Sequence, residues 1–366
     1  MDTSSRAAAS AHPRFDTLDA VRGIAALLIV LRHTPGYFGA LSFPESYLGV
    51  DIFFLLSGIV IASSYERKLL SSLSFRQFAL IRIARLYPCY FLGCVLGLIV
   101  FLSHGGSGGV AEMALFAFLM LPNFANLRGG DPNPYPLDHP AWSLFSELVV
   151  NFIYAEIVKF LSERTIFALL CATAAVLCAG IYASPEHTLD IGWKLQDLPM
   201  GIVRSAYSFF FGIWLYRKFA ARRRPAAAGR FAPVYLVFLI SAIAAILTAA
   251  PAAPLRPYFD AVCVLFVFPA LIYACLFVNP RGILQTASRF LGGISYPVYV
   301  LHQPAGTLVS AVLRRVFAID VAACAPFSGV VFICCLAAVS FWLNARYEPA
   351  LKNIILALPG RMSRAR

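Results

Sequence analysis

The sequence predicts an all-α protein, a polytopic bundle of about ten transmembrane helices. Of its 366 residues, 60% are hydrophobic and only 13% are charged, whereas soluble domains are about one-quarter charged. So few polar side chains cannot cover a water-facing surface, which excludes a soluble enzyme. The net charge of +12 comes from short Lys and Arg clusters between apolar runs, as in membrane-protein loops. We therefore expect no nucleic acid among the partners of the protein.

Ten stretches are apolar and long enough to cross the hydrocarbon layer, which takes about 20 helical residues. A further apolar stretch, 111–121, is too short and is expected to be a re-entrant or interfacial segment. The proline-rich stretch 122–141 predicts an irregular cap on the outer face, because proline lacks a backbone donor. The ten predicted spans are 18–37, 46–65, 83–102, 142–161, 165–183, 200–218, 232–250, 259–278, 291–313 and 325–344.

The distribution of Lys and Arg predicts the orientation, since these residues collect in cytoplasmic loops. The loops after the second and sixth spans, around 67–76 and 217–230, are strongly basic, whereas the loops after the first and fifth spans are mostly acidic. Both termini are therefore predicted to be cytoplasmic. Arg314 and Arg315 depart from this asymmetry, and the sequence offers no reason for them. The chain divides into a cytoplasmic tail, a membrane domain and a basic cytoplasmic tail, at 1–17, 18–347 and 348–366.

The nine cysteines predict no metal site. They lie in or beside apolar stretches, and the sequence has no CxxC motif and no Cys/His cluster at zinc spacing. We interpret them as small buried hydrophobic residues. The sequence predicts neither a metal nor a bound cofactor.

Arg22 and His33 are ionisable groups inside the first predicted span. A charge at mid-bilayer costs about 2.5–3.5 kcal/mol, so such groups are functional candidates. Eleven residues at about 100° and 1.5 Å each place both on one helix face, about 16 Å apart. Arg22 either extends to the headgroups or binds a ligand. His33 either marks the end of the span or takes up a proton in catalysis.

Polar residues also interrupt the second and fourth spans. Asp51 either stabilises the N-terminus of its helix through the helix dipole or is part of a functional site. Ser57 and Gly58 follow one to two turns later, and small residues there more often allow close helix packing than bind a ligand. Glu147, Asn151 and Tyr154 recur at four and seven residues, which predicts a polar stripe facing the bundle interior or a cavity.

Two further motifs have alternative interpretations. Arg82 and Arg85 lie where the third span enters the membrane from the cytoplasm. They either reflect only the excess of basic residues on the cytoplasmic side or bind a phosphorylated donor. In the ninth span, Pro297 frees a backbone carbonyl that needs a partner. His302 is either a satisfied interior histidine or a substrate contact.

Five motifs in sequence order resemble the acyltransferase-3 family of integral-membrane O-acyltransferases over residues 16–347. The one departure is Ile59, where the family usually has Phe. The chain is similar to the stand-alone type, and we expect no C-terminal hydrolase-like domain. The motifs are Leu18-Asp19-Ala20-Val21-Arg22-Gly23 leading to His33, Gly49-Val50-Asp51 with Phe53-Phe54 and Ser57-Gly58, Arg82 with Arg85-Leu86-Tyr87-Pro88, Trp142-Ser143-Leu144 with Glu147, and Ser295-Tyr296-Pro297 with His302.

The resemblance implies O-acylation, usually O-acetylation, of a bacterial surface or secreted polysaccharide. The donor is then a cytoplasmic acyl-CoA, usually acetyl-CoA, and the acceptor is a sugar hydroxyl of a glycan or lipid-linked precursor. The resemblance also implies a bacterial inner membrane, and Arg22 and His33 carry over as the functional pair.

From these residues we predict one cavity in which Arg22, Arg82 and Arg85 meet the phosphates of acyl-CoA. His33 is the predicted general base or acyl relay, and Glu147 or Asp51 the carboxylate that fixes its tautomer. A membrane transporter or flippase, with Arg22, Asp51, Glu147 and His302 along its path, is the alternative. The residues predicted to bind acceptor or line the cavity are Ser57, Trp142, Asn151, Tyr154, Ser295, Tyr296 and His302.

Overall fold

A computed structural model describes residues 14–41, 43–106, 108–124, 132–222 and 231–364. All regular structure in these ranges is helical. The α-helices are α1 Asp16–His33, α2 Pro35–Phe38, α3 Gly49–Ile61, α4 Arg67–Ser71, α5 Phe75–Ser103, α6 Val110–Phe118, α7 Ala141–Ile157, α8 Glu163–Ala183, α9 Leu198–Ala221, α10 Ala232–Leu247, α11 Arg256–Val262, α12 Phe268–Cys275, α13 Gly282–Phe317, α14 Phe327–Trp342 and α15 Glu348–Arg364.

Short helical segments of other types extend several of these helices. The 3₁₀ segments are Pro44–Leu48, Val158–Phe160 and Ala253–Leu255, and the π segments are Ala62–Glu66, Cys263–Val267 and Leu343–Tyr347.

Within the described part of the chain, 7 continuous helical segments are long and apolar enough to cross a membrane. The predicted number of ten is not confirmed. Span 18–37 corresponds to α1, in which four of 18 residues are charged. Span 232–250 corresponds to α10, which has only 16 residues, and span 291–313 lies in α13, whose apolar run is interrupted by His302 and Gln303. The seven segments are Pro44–Ser71, Phe75–Ser103, Ala141–Phe160, Glu163–Ala183, Leu198–Ala221, Ala253–Cys275 and Phe327–Ala357.

The outer surface of the bundle is apolar. Phe238, Phe266 and Val331 are among many large hydrophobic side chains that are exposed. An apolar surface of this extent marks contact with a membrane. The chain is therefore a membrane protein.

Helices α1 and α13 lie side by side and run in the same direction. Asp16 accepts a hydrogen bond from Arg289 (2.8 Å) near the start of both helices, whereas His33 and His302 meet at the end of α1. Glycine allows this close approach: a side chain on Gly23 would overlap the backbone of Leu291. The packing therefore joins residues that are 269 and 273 positions apart in the sequence.

The structure of segment 110–140 agrees in part with the prediction from the sequence. Helix α6 has nine residues, too few to cross a bilayer. Residues 132–140 form turns without regular structure, as the prolines predict. The middle of the predicted cap, 125–131, lies outside the described residues.

Candidate functional site

Two histidines from α1 and α13 are joined by a hydrogen bond at the end of the bundle where α1 ends. Nδ1 of His33 lies 2.8 Å from Nε2 of His302, and the planes of the two rings are 10° apart. His302 is fully buried. Its Nδ1 lies 2.7 Å from the carbonyl oxygen of Tyr299.

This chain of hydrogen bonds fixes the tautomer of both neutral rings. A carbonyl oxygen can only accept, so Nδ1 of His302 carries the proton and its Nε2 accepts. Nδ1 of His33 is then the donor to His302. The lone pair of His33 is therefore on Nε2, the arrangement that a general base requires.

A cavity of about 470 Å³ lies beside His33, and we name it the His33 cavity. Aromatic rings of Trp142, Trp193 and Tyr47 form much of its wall. Arg32 and Asp190, also in the wall, are 2.5 Å apart as an ion pair. Aromatic faces with a few fixed polar groups are typical of small-molecule sites.

A second cavity, of about 150 Å³, contains the predicted donor-binding arginines, and we name it the arginine cavity. Each arginine also has an acidic partner: Arg22 pairs with Asp19 at 3.0 Å, Arg82 pairs with Glu147 at 2.8 Å, and Arg85 pairs with Glu348. The structure thus brings together three cations that the sequence spaces up to 63 residues apart. The other polar residues of the wall are Ser57, Ser143, Glu147, Ser295, Tyr296 and Tyr299.

The two cavities are neighbours and not the single cavity that the sequence predicted. Val50 and Tyr299 line both, so these side chains lie between them. The hydroxyl groups of Tyr299 and Ser143 are 2.7 Å apart, and the ring of Phe53 packs edge-on against Tyr299. Arg22 and His33 therefore face adjoining cavities that share one wall.

Neither predicted carboxylate contacts His33. Asp51 is 2% exposed and accepts two hydrogen bonds from Arg204, at 2.9 Å from Nε and 2.5 Å from Nη2. Oε1 of Glu147 accepts from Ser57 (2.6 Å) and Arg82 (2.8 Å). The prediction that Asp51 or Glu147 orients the imidazole is corrected, because a buried carboxylate is held by the nearest cation.

Arg204 is an important residue that the sequence analysis missed. It is fully buried in α9 and also donates to the carbonyl oxygen of Tyr47 (2.9 Å). The rule that an ionisable residue inside an apolar span needs a partner would have found it. Its contacts give it a structural role beside the His33 cavity.

The site residues predicted on α7 divide between different surroundings. Trp142 lines the His33 cavity and Glu147 the arginine cavity. Asn151 and Tyr154 line neither: both are fully buried, and the Tyr154 hydroxyl donates to Glu66 at 2.8 Å. The expectation that these two residues line the cavity is therefore not met, and fully buried His302 does not line either cavity.

The loop before α7 contributes two residues that no motif indicated. His139 lines the His33 cavity, and its ring packs at 5.2 Å from that of Trp193. Asp138 is buried, and neither carboxylate oxygen has a hydrogen-bond partner among the described residues. Burial raises the pKa of the Asp138 carboxyl well above its usual value, which favours its protonated form.

Residues 15–345 match the family model of the acyltransferase domain, acyltransferase-3. A protein of Rhizobium radiobacter, described as protein 2 in the picA locus, is 37% identical over 182 residues, which cover 45% of this chain and 93% of that protein. No solved structure matches the chain at a significant level.

Proposed function

The chain belongs to the acyltransferase-3 family, and from that premise we propose that it transfers an acyl group, acetyl in the first instance, from cytoplasmic acyl-CoA to a sugar hydroxyl of a surface or secreted glycan. The observation that carries the proposal is the hydrogen-bonded chain Tyr299–His302–His33, which leaves a basic nitrogen on a residue of the His33 cavity, and this cavity shares a wall with the arginine cavity. We place the protein in a bacterial inner membrane with both termini in the cytoplasm.

The donor is proposed to bind in the arginine cavity. The side chains of Arg22 and Arg85 are 33% and 35% exposed, whereas that of Arg82 is only 10% exposed. The phosphates of acyl-CoA therefore meet Arg22 and Arg85 first, since a guanidinium group stays charged and forks onto phosphate oxygens. The cavity is smaller than the roughly 300–1,000 Å³ of most ligand sites, so it accepts the thioester arm while the nucleotide stays at the opening.

The acceptor is proposed to bind in the His33 cavity. Trp142 and Trp193 offer flat apolar surfaces, and Arg32 and Asp190 offer hydrogen-bonding groups. This combination suits a sugar ring, which has apolar faces and hydroxyl groups at its edge. The acceptor hydroxyl is then close to His33, which lines the same cavity.

In the reaction, Nε2 of His33 takes the proton of the acceptor hydroxyl as its oxygen attacks the thioester carbonyl. The new C–O bond forms, the C–S bond breaks, and the imidazolium returns the proton to the CoA thiolate. A positioned general base contributes about 10²–10⁴-fold to such a rate. Transfer through an acyl group held on His33 is the second route. This second route differs because the acyl group is covalently attached to the protein before it reaches the sugar.

The test uses the full chain in lipid nanodiscs with labelled acetyl-CoA and glycan isolated from the host envelope. Ester-linked label on the sugar is expected, and His33→Ala should reduce it by about 10²-fold or more. His187→Ala is the matched control, because this exposed histidine lines neither cavity. Label on the protein before glycan is added indicates the relay. Glycan movement across proteoliposomes without esterification would support a transporter or flippase and refute the proposal.

A further inference from the structure

Arg314 and Arg315 lie near the end of α13, at the same end of the bundle as His33. The predicted orientation puts this end outside, where Lys and Arg are normally few. Helix α13 has 36 residues and is therefore about 54 Å long, much longer than the roughly 30 Å hydrocarbon core. Its last turns therefore extend to the lipid headgroups or beyond. This position tolerates the charges of Arg314 and Arg315 but gives no reason for their presence.

Both arginines line a cavity of about 640 Å³ that also reaches His33, and we name it the Arg314 cavity. One wall is formed by polar residues of α13. These residues are spaced three or four positions apart and therefore lie on one side of the helix. His104 contributes from the end of α5. The members of the polar face are Gln303, Thr307, Ser310 and Arg314.

The Arg314 cavity has an uncompensated positive charge. Its wall contains no Asp or Glu among the described residues. Arg315 donates to the carbonyl oxygen of Ser103 at 2.7 Å, and across the described ranges no carboxylate lies within 4.0 Å of either guanidinium group. In the arginine cavity, by contrast, every arginine has an acidic partner. The Arg314 cavity is therefore complementary to an anion.

We propose that the Arg314 cavity binds a carboxylate or phosphate group of the acceptor, so that the acceptor is an acidic oligosaccharide or a phosphate-linked saccharide. This inference rests on the proposed function. Guanidinium groups form paired hydrogen bonds to both kinds of oxyanion. From His302 to Arg314 the helix rises about 18 Å. The charge thus lies more than one sugar unit away from the hydroxyl that is acylated.

The experiment titrates the full chain, in nanodiscs of neutral phosphatidylcholine, with two matched tetrasaccharides. These are a β-1,4-linked glucuronate tetramer and its neutral counterpart, cellotetraose; a third titration adds polyprenyl monophosphate to the discs. We expect an anionic probe to bind about tenfold more tightly than cellotetraose, and Arg314→Gln with Arg315→Gln to abolish that preference. Arg281→Gln is the control, because Arg281 precedes the opposite end of the same helix.

Each outcome has one meaning. If the double variant loses its preference for the glucuronate tetramer, the acceptor carries a carboxylate. If it loses only its preference for polyprenyl phosphate, the acceptor is phosphate-linked. Wild-type binding of all probes by a double variant with unchanged thermal stability overturns the inference. An effect of the double variant that requires phosphatidylglycerol in the discs assigns the arginines to headgroups and also overturns it. Acetyl-CoA is titrated separately, so that failure of the proposed function is recognised independently.

Discussion

His302 is the residue whose replacement tests the chemistry of the site most directly. His302→Phe keeps an aromatic ring of similar size but removes the nitrogen that accepts from Nδ1 of His33. A buried donor left without a partner costs about 1–3 kcal/mol. At about 1.36 kcal/mol per factor of ten, the population of His33 with its lone pair on Nε2 falls about 5- to 150-fold. We expect kcat for acyl transfer to fall by the same factor.

The matched control is His302→Gln, whose side-chain oxygen can accept the same hydrogen bond. Initial rates at saturating acetyl-CoA, taken over a series of pH values, should show kcat lowered in His302→Phe and largely restored in His302→Gln. KM for acetyl-CoA should stay unchanged, because His302 does not line the arginine cavity. A folded His302→Phe protein with wild-type kcat, or a Gln variant as slow as Phe, would refute the tautomer argument.

Three more variants test the surroundings of the site. Asp51→Leu should lower the melting temperature strongly, because removing one partner of a buried ion pair costs about 3–5 kcal/mol; adding Arg204→Met should restore most of it, and failure of the double variant to recover would contradict the pairing. Arg85→Gln should raise KM for acetyl-CoA about tenfold while leaving use of acetylpantetheine, which lacks the nucleotide phosphates, unchanged; an equal loss with both donors would place Arg85 elsewhere. The raised pKa of Asp138 means that folding binds a proton, so stability should fall as pH rises above about 4. Asp138→Asn should flatten this part of a melting-temperature profile, and an unchanged slope would contradict a buried neutral acid.

Local features of the sequence determined the class of the protein and the helix that carries Arg22 and His33. Composition and apolar run length indicate helices in a membrane because the hydrocarbon layer sets their length and polarity. The spacing of Arg22 and His33 places both on one face of α1 because helix geometry is fixed over eleven residues. Both side chains line cavities in the structure.

Which groups meet across the bundle was decided by the tertiary structure alone. His33 meets His302, 269 residues away, and Asp51 meets Arg204, 153 residues away. Glu147 and Asp51 were equally plausible partners for the imidazole in the sequence, because periodicity gives the face of a helix but not the helix that faces it. That choice depends on close contacts such as Gly23 against Leu291, and packing of this kind is set by the shapes of whole helices.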